Sequence, residues 1–256
     1  MNKNNISAVI ITKNEEKNIV EVVKNVSFAD EVLVIDNSSE DQTVELAKKS
    51  GAIVYVEKFS DYAQQRNYAL DKAKGNWILY VDADERVTPE LKKEILKVTN
   101  EFNPIKTHYI IERKNFYFGK HEWPYIEQIE RLFVRDKLVE WYGKIHESPR
   151  TVGDKGKLTG YLKHYTHKNL STMIKKTVTW SSVEAELLFK SNHPQMSWWR
   201  FLRIMLTKFS DSYFAQGGWK VGAIGFIESM YQAFSYFVVY AKLWEKQLKT
   251  KSERKN

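Results

Sequence analysis

The stretch Gly75-Asn76-Trp77-Ile78-Leu79-Tyr80-Val81-Asp82-Ala83-Asp84-Glu85 decides how this chain folds. Lys74-Gly75 reads as a helix stop. Trp77 to Val81 is an apolar run of strand length. Asp82 and Asp84 close it, with one residue between them. A buried strand would deliver both acids to its C-terminal edge, where open α/β sheets place their ligands. Hard oxygen donors of this kind suit Mg²⁺ or Mn²⁺, above all when phosphates complete the shell. An ordinary acidic turn after a strand would look the same.

Upstream, strands and helices alternate. Ile6 to Ile11 is a continuous apolar run, the mark of a strand buried on both faces. Thr12-Lys-Asn-Glu15 then carries capping residues, and Ile19, Val22, Val23 and Val26 give a helical face. Val32 to Ile35 predicts a second strand, ending at Asp36-Asn-Ser-Ser-Glu-Asp41. Ser39 or Asp41 can cap a helix from about Thr43 to Ser50. Gly51 stops it, Ile53 to Val56 is a third strand, and Tyr62 to Lys74 is a helix. Pro89 opens another. This order predicts a doubly wound, mostly parallel α/β sheet of Rossmann-like type with right-handed crossovers. It brings Asp36, Asp82 and Asp84 to one sheet edge. No Gly-x-Gly-x-x-Gly and no Walker lysine occurs, which argues against a dinucleotide dehydrogenase and a P-loop kinase.

The chain has 256 residues and no cysteine, so disulfides and thiolate metal sites are excluded and a reducing compartment fits. Met1 to Asn5 lacks the apolar core of a signal peptide. The formal charge of +8 is uneven. Residues 1–150 hold 23 basic and 25 acidic groups, and residues 151–256 hold 17 and 7. The basic segment predicts an anionic partner. Aromatics interleave with the basic groups and no nucleic-acid-binding signature is present, which favours an anionic membrane surface over nucleic acid.

Four motifs occur in order: Val9-Ile-Ile-Thr-Lys-Asn-Glu15, Val34-Ile-Asp-Asn-Ser-Ser-Glu-Asp-Gln-Thr43, Gln65-Arg-Asn67 and Val81-Asp-Ala-Asp-Glu85. Together they resemble family 2 glycosyltransferases of the GT-A fold. More narrowly they resemble the bacterial branch of lipopolysaccharide inner-core β-glucosyltransferases. Weaker matches, Arg131-Leu-Phe133, His146-Glu147 and His164, extend the resemblance to about residue 170.

The resemblance implies an inverting, metal-dependent transfer of a sugar from a nucleoside diphosphate. Asp84 then holds the cation, and Asp82 contacts the ribose or a metal-bound water. Thr12, Asn14, Glu15 and Asp36 touch the nucleotide, although Asn14 is equally suited to a helix cap. Asn37 stands where many members carry a second acid. Arg66 suits a diphosphate, unless it is a surface arginine, and Asn67 reads as structural. The base should follow residue 100, among Glu127, Glu130, Asp136, Glu140 and Glu147. Trp141 to Glu147 reads as a strand ending in His146-Glu147 and stopped by Ser148-Pro149, and the resemblance to the narrower branch, where a His-Glu pair recurs at this place, implies Glu147. It could instead pair with Lys144 or Arg150. His164 and His167, three apart, face opposite sides of a strand, so only one can join the site, with His164 as third metal ligand.

The C-terminal third is helical in pattern. Ser171 to Lys190 places Ile174, Val178, Ala185 and Leu188 on one side. Trp198 to Leu206 interleaves aromatics with Arg200 and Arg203. Val221 to Leu243 is apolar except for Glu228, Gln232 and Ser235. It could be a bundled helix or an interfacial one flanked by Trp219 and Trp244; Glu228 and Gln232 inside a barely sufficient length disfavour a membrane span. The expected organisation is a glycosyltransferase domain over 1–170, a helical membrane-proximal region over 171–245 and a basic flexible tail over 246–256. The expected donor is UDP-glucose, and the expected acceptor is a saccharide or glycolipid in bacterial surface-glycan assembly. The expected location is peripheral, on the cytoplasmic face of the inner membrane. A nucleotidyltransferase would also use a cation and paired acids, but with a glycine-rich first loop, and Ile6 to Glu15 has no glycine. A non-catalytic membrane adaptor on the same fold is the remaining alternative.

Overall fold

The computed structural model describes residues 5–101, 104–143 and 147–253. The first half alternates as expected: β1 (Ile6–Thr12), α1 (Ile19–Asn25), β2 (Glu31–Asp36), α2 (Thr43–Lys49), β3 (Ile53–Val56), α3 (Tyr62–Lys72) and β4 (Trp77–Asp82). Next come β5 (Glu85–Val87), α4 (Pro89–Thr99), β6 (His108–Tyr117), β7 (His121–Val134), β8 (Leu138–Tyr142), β9 (Ser148–Thr151) and β10 (Lys155–Tyr165). The main sheet runs β3-β2-β1-β4-β7-β6-β10-β5. Its β3-β2-β1-β4 half is parallel, whereas β7 joins β4, and β10 joins β5, antiparallel. Alternate residues of the parallel strands bury against opposite faces. Ala8, Ile10, Val34, Leu79 and Val81 fill one core, and Val9, Ile11, Leu33, Ile35, Ile78 and Tyr80 the other.

Two local expectations change. Gly75 does not cap α3 in a left-handed turn; the helix already ends at Lys72, with Ala73 extended. A Cβ on Gly75 would lie 2.6 Å from the Ser7 amide nitrogen, so only glycine lets the chain enter β4 this close to β1. The strand expected over Trp141 to Glu147 ends at Tyr142, and Gly143 follows with φ +98°. Pro149 does not stop the chain: it sits within β9, opposite Trp141. Both strands of this two-stranded ribbon are edges, where a missing N–H is tolerated.

The chain forms two compact units, residues 1–114 with 126–164, and residues 115–125 with 165–256. The second contains α5 (Leu170–Lys190), α6 (Trp198–Ser210) and α7 (Gly222–Glu253). The stripe α5 buries is Met173, Thr177, Ser181 and Ala185, so Ile174 and Val178 face outward. The polarity of α7 is likewise inverted. Its polar residues Glu228, Ser229 and Ser235 are buried, while Phe226, Ile227, Met230, Phe234 and Phe237 are exposed. The inward polar groups are bonded: Glu228 contacts His167 Nδ1 at 2.9 Å and accepts from Gln232, and Ser229 donates to Ser212. Helix α7 continues to Glu253, so residues 246–253 are helical and not tail-like. Lys246 reaches Glu186 of α5 at 2.6 Å, and Lys249 pairs with Glu245 one turn back. Helix α6 buries no residue fully; Trp198 is 75% and Leu206 69% exposed. Among the described residues, no helix is long and apolar enough to cross a membrane.

Candidate active site

The carboxyl ends of β1, β2 and β4 form one edge of the sheet, and α3 ties this edge together through three consecutive residues. Gln65 is buried and donates to the carbonyls of Ile35 (2.7 Å) and Thr12 (3.3 Å), at the ends of β2 and β1. Arg66 donates Nη2 to Asp82 Oδ1 (2.8 Å) and Nε to Glu147 Oε1 (3.1 Å). Asn67 exchanges two hydrogen bonds with the backbone of Trp141 and so fixes the β8–β9 ribbon to the helix. Asp61 caps α3 by accepting from the Gln64 N–H.

Arg66 is no surface arginine: it is 1% exposed, with its guanidinium 4.9 Å from the Trp141 ring and 5.5 Å from that of Tyr80. Burial disfavours its charge, but Asp82 and Glu147 outweigh that and raise its pKa. Asp82 also receives Arg131 Nη2 on its second oxygen, at 2.9 Å. Burial opposes the ionisation of Asp82, yet Arg131 and Arg66 hold its carboxyl well below the usual carboxylate range. Both Asp82 oxygens are therefore committed to guanidinium groups.

Sequence reading missed the supporting groups. Glu85 is fully buried; its carboxylate accepts from the Asp82 N–H at 3.0 Å and from Arg113 Nη1 at 3.0 Å. Arg113 also grips Glu127 through Nε at 2.8 Å. Glu85 was visible as the fifth residue of its motif, but nothing local marks it as buried. Arg113 carries no local signal at all, because its partners are remote in the chain.

Asp84 lies beside His164, with Oδ2 3.4 Å from Nε2. Burial lowers the imidazole pKa, but the hydrogen bond to Asp84 and its charge outweigh it and raise it. His167 belongs elsewhere, with φ +46° beyond β10 and its ring stacked on Tyr117. His146 and Lys144 lie outside the described residues. Among the described residues, no three His, Cys, Asp or Glu side chains gather around one point. The chain thus offers two donors, a carboxylate oxygen and an imidazole nitrogen. Adjacent ligands of an octahedral cation with bonds of about 2.1 Å lie roughly 3 Å apart, close to the observed spacing. The remaining positions would fall to phosphate oxygens and water, a shell that suits Mg²⁺ or Mn²⁺. The residues fit such an ion.

Thr12 and Asp36 are paired in register at the ends of β1 and β2. Asp36 is fully buried, and its carboxylate accepts from both the N–H and the hydroxyl of Ser39. The Asn37 amide closes a two-bond clasp on the Phe59 backbone. Asn14 does not cap α1. It adopts φ +55°, donates its N–H to Ser39 Oγ and accepts from the Glu40 N–H, stitching the first loop to the second. Glu15 donates its N–H to Thr43 Oγ1 and accepts from the Asn18 side chain. Buried at this edge, Thr12 Oγ1, Arg66 Nη1 and Arg131 Nε find no hydrogen-bond partner among the described residues. Buried polar atoms are rarely left so, and a ligand's oxygens would satisfy them.

The other base candidates are engaged apart from Asp82. Glu130 pairs with Lys155 at 2.5 Å, Glu140 with Arg150 at 3.1 Å, and Asp136 with Arg135 at the surface.

A parallel half-sheet with acids at its carboxyl edge, extended by antiparallel strands, is the GT-A arrangement of glycosyltransferases. The mannosyltransferase PcManGT of Pyrobaculum calidifontis shares this fold at a TM-score of 0.55, with 14% identity over 95% of this chain and 88% of that one. The family model "Glycosyl transferase family 2" matches residues 7–151, and the chain belongs to that family. An uncharacterized glycosyltransferase of Rickettsia typhi is 31% identical over 96% of this chain and 89% of its own length. The lipopolysaccharide core biosynthesis glycosyltransferase LpsC of Rhizobium meliloti is 27% identical over 94% and 92%.

Proposed function

We propose that this family 2 glycosyltransferase moves a hexose, glucose in the first instance, from a UDP-sugar to a lipid-linked saccharide acceptor, inverting the anomeric carbon. The observation that carries this reading is the joint grip of Arg66 on Asp82 and Glu147, which sets a carboxylate base beside the acidic sheet edge. The similarity to LpsC supports a place in lipopolysaccharide core-type glycan assembly. PcManGT, solved with GDP-Man and Mn²⁺, supports a nucleotide-sugar and a cation here.

Asp84 and His164 would hold the cation, whose chemistry is to neutralise charge gathering on the departing diphosphate. Asp82, fixed between two arginines, orients the neighbouring donor groups. Arg66 Nη1 and Thr12 Oγ1 offer unused polar atoms to the nucleotide. Glu147 receives Arg66 on Oε1, which leaves Oε2 outside that bond. The acceptor hydroxyl oxygen bonds to the anomeric carbon as the bond from that carbon to the diphosphate breaks. The electron pair leaves with the diphosphate, and the hydroxyl proton passes to Glu147.

A lipid-linked acceptor requires access to a bilayer. Helix α6 supplies an apolar face of Trp198, Leu202 and Leu206, with Arg200 and Arg203 placed 4.8 and 5.5 Å from the Trp199 ring. Exposed aromatics among cations suit an anionic membrane surface and a peripheral position on the inner face of the cytoplasmic membrane.

Thermal shift tests the reading. UDP with Mn²⁺ raises Tm, EDTA removes the gain, and Asp84→Ala abolishes it while the fold persists. A gain unchanged in Asp84→Ala sinks the metal assignment. A response to nucleoside triphosphates alone points to nucleotidyl transfer.

A further inference from the structure

A concavity of about 600 Å³ opens on the first unit, and none of the residues placed above at the acidic sheet edge lines it. His108, Glu130, Tyr142, Arg150, Thr151 and Lys155 form its wall. Its volume falls in the range of small-molecule sites, about 300–1,000 Å³. His108 stands on β6, Glu130 on β7 and Lys155 on β10, while Tyr142, Arg150 and Thr151 belong to the β8–β9 ribbon. The ribbon links the pocket to the chemistry: Tyr142 pairs with Ser148 across it, and Glu147 directly precedes Ser148.

The charges in the pocket are balanced. Lys155 bonds Glu130 at 2.5 Å, and Arg150 bonds Glu140 at 3.1 Å. His108 is buried, which holds its pKa below the usual value although Glu130 lies 3.7 Å away. Each of its ring nitrogens faces a hydroxyl, Thr107 at 3.2 Å and Thr151 at 3.3 Å. A free anion would find every cation already neutralised, and an apolar ligand would strand the ion pairs without water. A hydroxyl both donates and accepts, so it can bond Glu130 and Lys155 together without breaking their pair. Tyr142 adds a half-exposed aromatic wall, 51% open, with the Arg150 guanidinium 5.7 Å from its ring centre. An aromatic face with polar groups around it matches a sugar ring, apolar on its C–H face and polar at its rim.

We propose that this pocket binds an uncharged saccharide unit of the acceptor, stacked on Tyr142 and hydrogen-bonded to Glu130, Arg150 and Lys155. The acceptor role rests on the transferase reading above; the saccharide site itself does not.

Saturation-transfer NMR with methyl β-D-glucoside, methyl α-D-mannoside and glucose 6-phosphate tests it on the full chain. The uncharged glycosides bind, and Tyr142→Ala weakens them by about tenfold or more, the scale of an aromatic anchor. Glu130→Gln weakens them too, while the Tm gain from UDP with Mn²⁺ stays, which shows that both variants fold. Three results overturn the proposal: no glycoside binds a protein that responds to UDP; binding persists in Tyr142→Ala; or only the phosphorylated sugar binds. Glycoside binding without any response to UDP keeps the pocket and removes the UDP-sugar donor from the reading above.

Discussion

Arg66 and Glu147 stand 81 residues apart in the chain, and a 3.1 Å hydrogen bond joins them. The same guanidinium holds Asp82 at 2.8 Å. Helix α3 therefore sets the distance between the acidic sheet edge and the candidate base.

Glu147→Gln keeps an oxygen for Arg66 Nε but cannot take a proton at neutral pH. Turnover falls by about 10²-fold or more, the scale of a lost general base. Affinity for UDP-sugar and cation stays near that of the parent. Near-parental turnover would transfer the role to Glu127, which is linked to the same cluster through Arg113 and Glu85.

Arg66→Met removes the shared partner of two carboxylates. Asp82 retains Arg131, whereas Glu147 loses the hydrogen bond that ties its side chain to α3. Breaking one side of a buried pair costs about 3–5 kcal/mol. Urea denaturation should show a loss of that size. A loss below about 1 kcal/mol, the worth of an exposed pair, would contradict the buried clamp.

Glu94 of α4 supports β10. It accepts from the Thr159 and Gly160 N–H groups, at 2.7 and 3.2 Å. Burial alone would raise its pKa, but the hydrogen bonds from Thr159 and Gly160 together outweigh that and lower it. A lowered folded pKa means the contribution is complete above the unfolded value, about 4.3, and is lost as pH falls through the folded one. Glu94→Gln should lower Tm at pH 7, with the gap from the parent closing toward pH 3. A gap independent of pH would assign the loss to packing.

The α6 face predicts vesicle binding. Trp198→Glu with Leu206→Glu, and separately Arg200→Gln with Arg203→Gln, should reduce co-sedimentation with phosphatidylglycerol vesicles. The arginine pair matters most at low salt, where charge attraction is least screened. Equal sedimentation of all three proteins would remove the membrane from the account.

The parallel half was legible because strands buried on both faces are continuous apolar runs, as Ile6 to Ile11 and Trp77 to Val81 are. Strands β6, β7 and β10 were not: His-Tyr-Ile-Ile-Glu-Arg-Lys-Asn-Phe-Tyr of β6 mixes buried and charged positions without a clean period. Arg66 was legible as a site residue but not as a buried one, since an arginine on a helix is usually exposed. Its burial depends on Trp141 and Glu147, which arrive from far along the chain. The sequence left α7 open between a bundled and an interfacial helix for the same reason, because His167 and Ser212, which satisfy its inward polar groups, are not on the helix.

The pairing of β5 with β10 has a temporal meaning. His164 leaves the ribosome 80 residues after Asp84, about 4–16 s later at roughly 5–20 residues per second. The β1–β4 half can be folded by then, while the edge beside Asp84 awaits its imidazole. A nascent chain stalled before β10 would carry the β1–β4 half with only Asp84 of the proposed cation pair. On the proposed mechanism, such a chain could not begin transfer until His164 has been added.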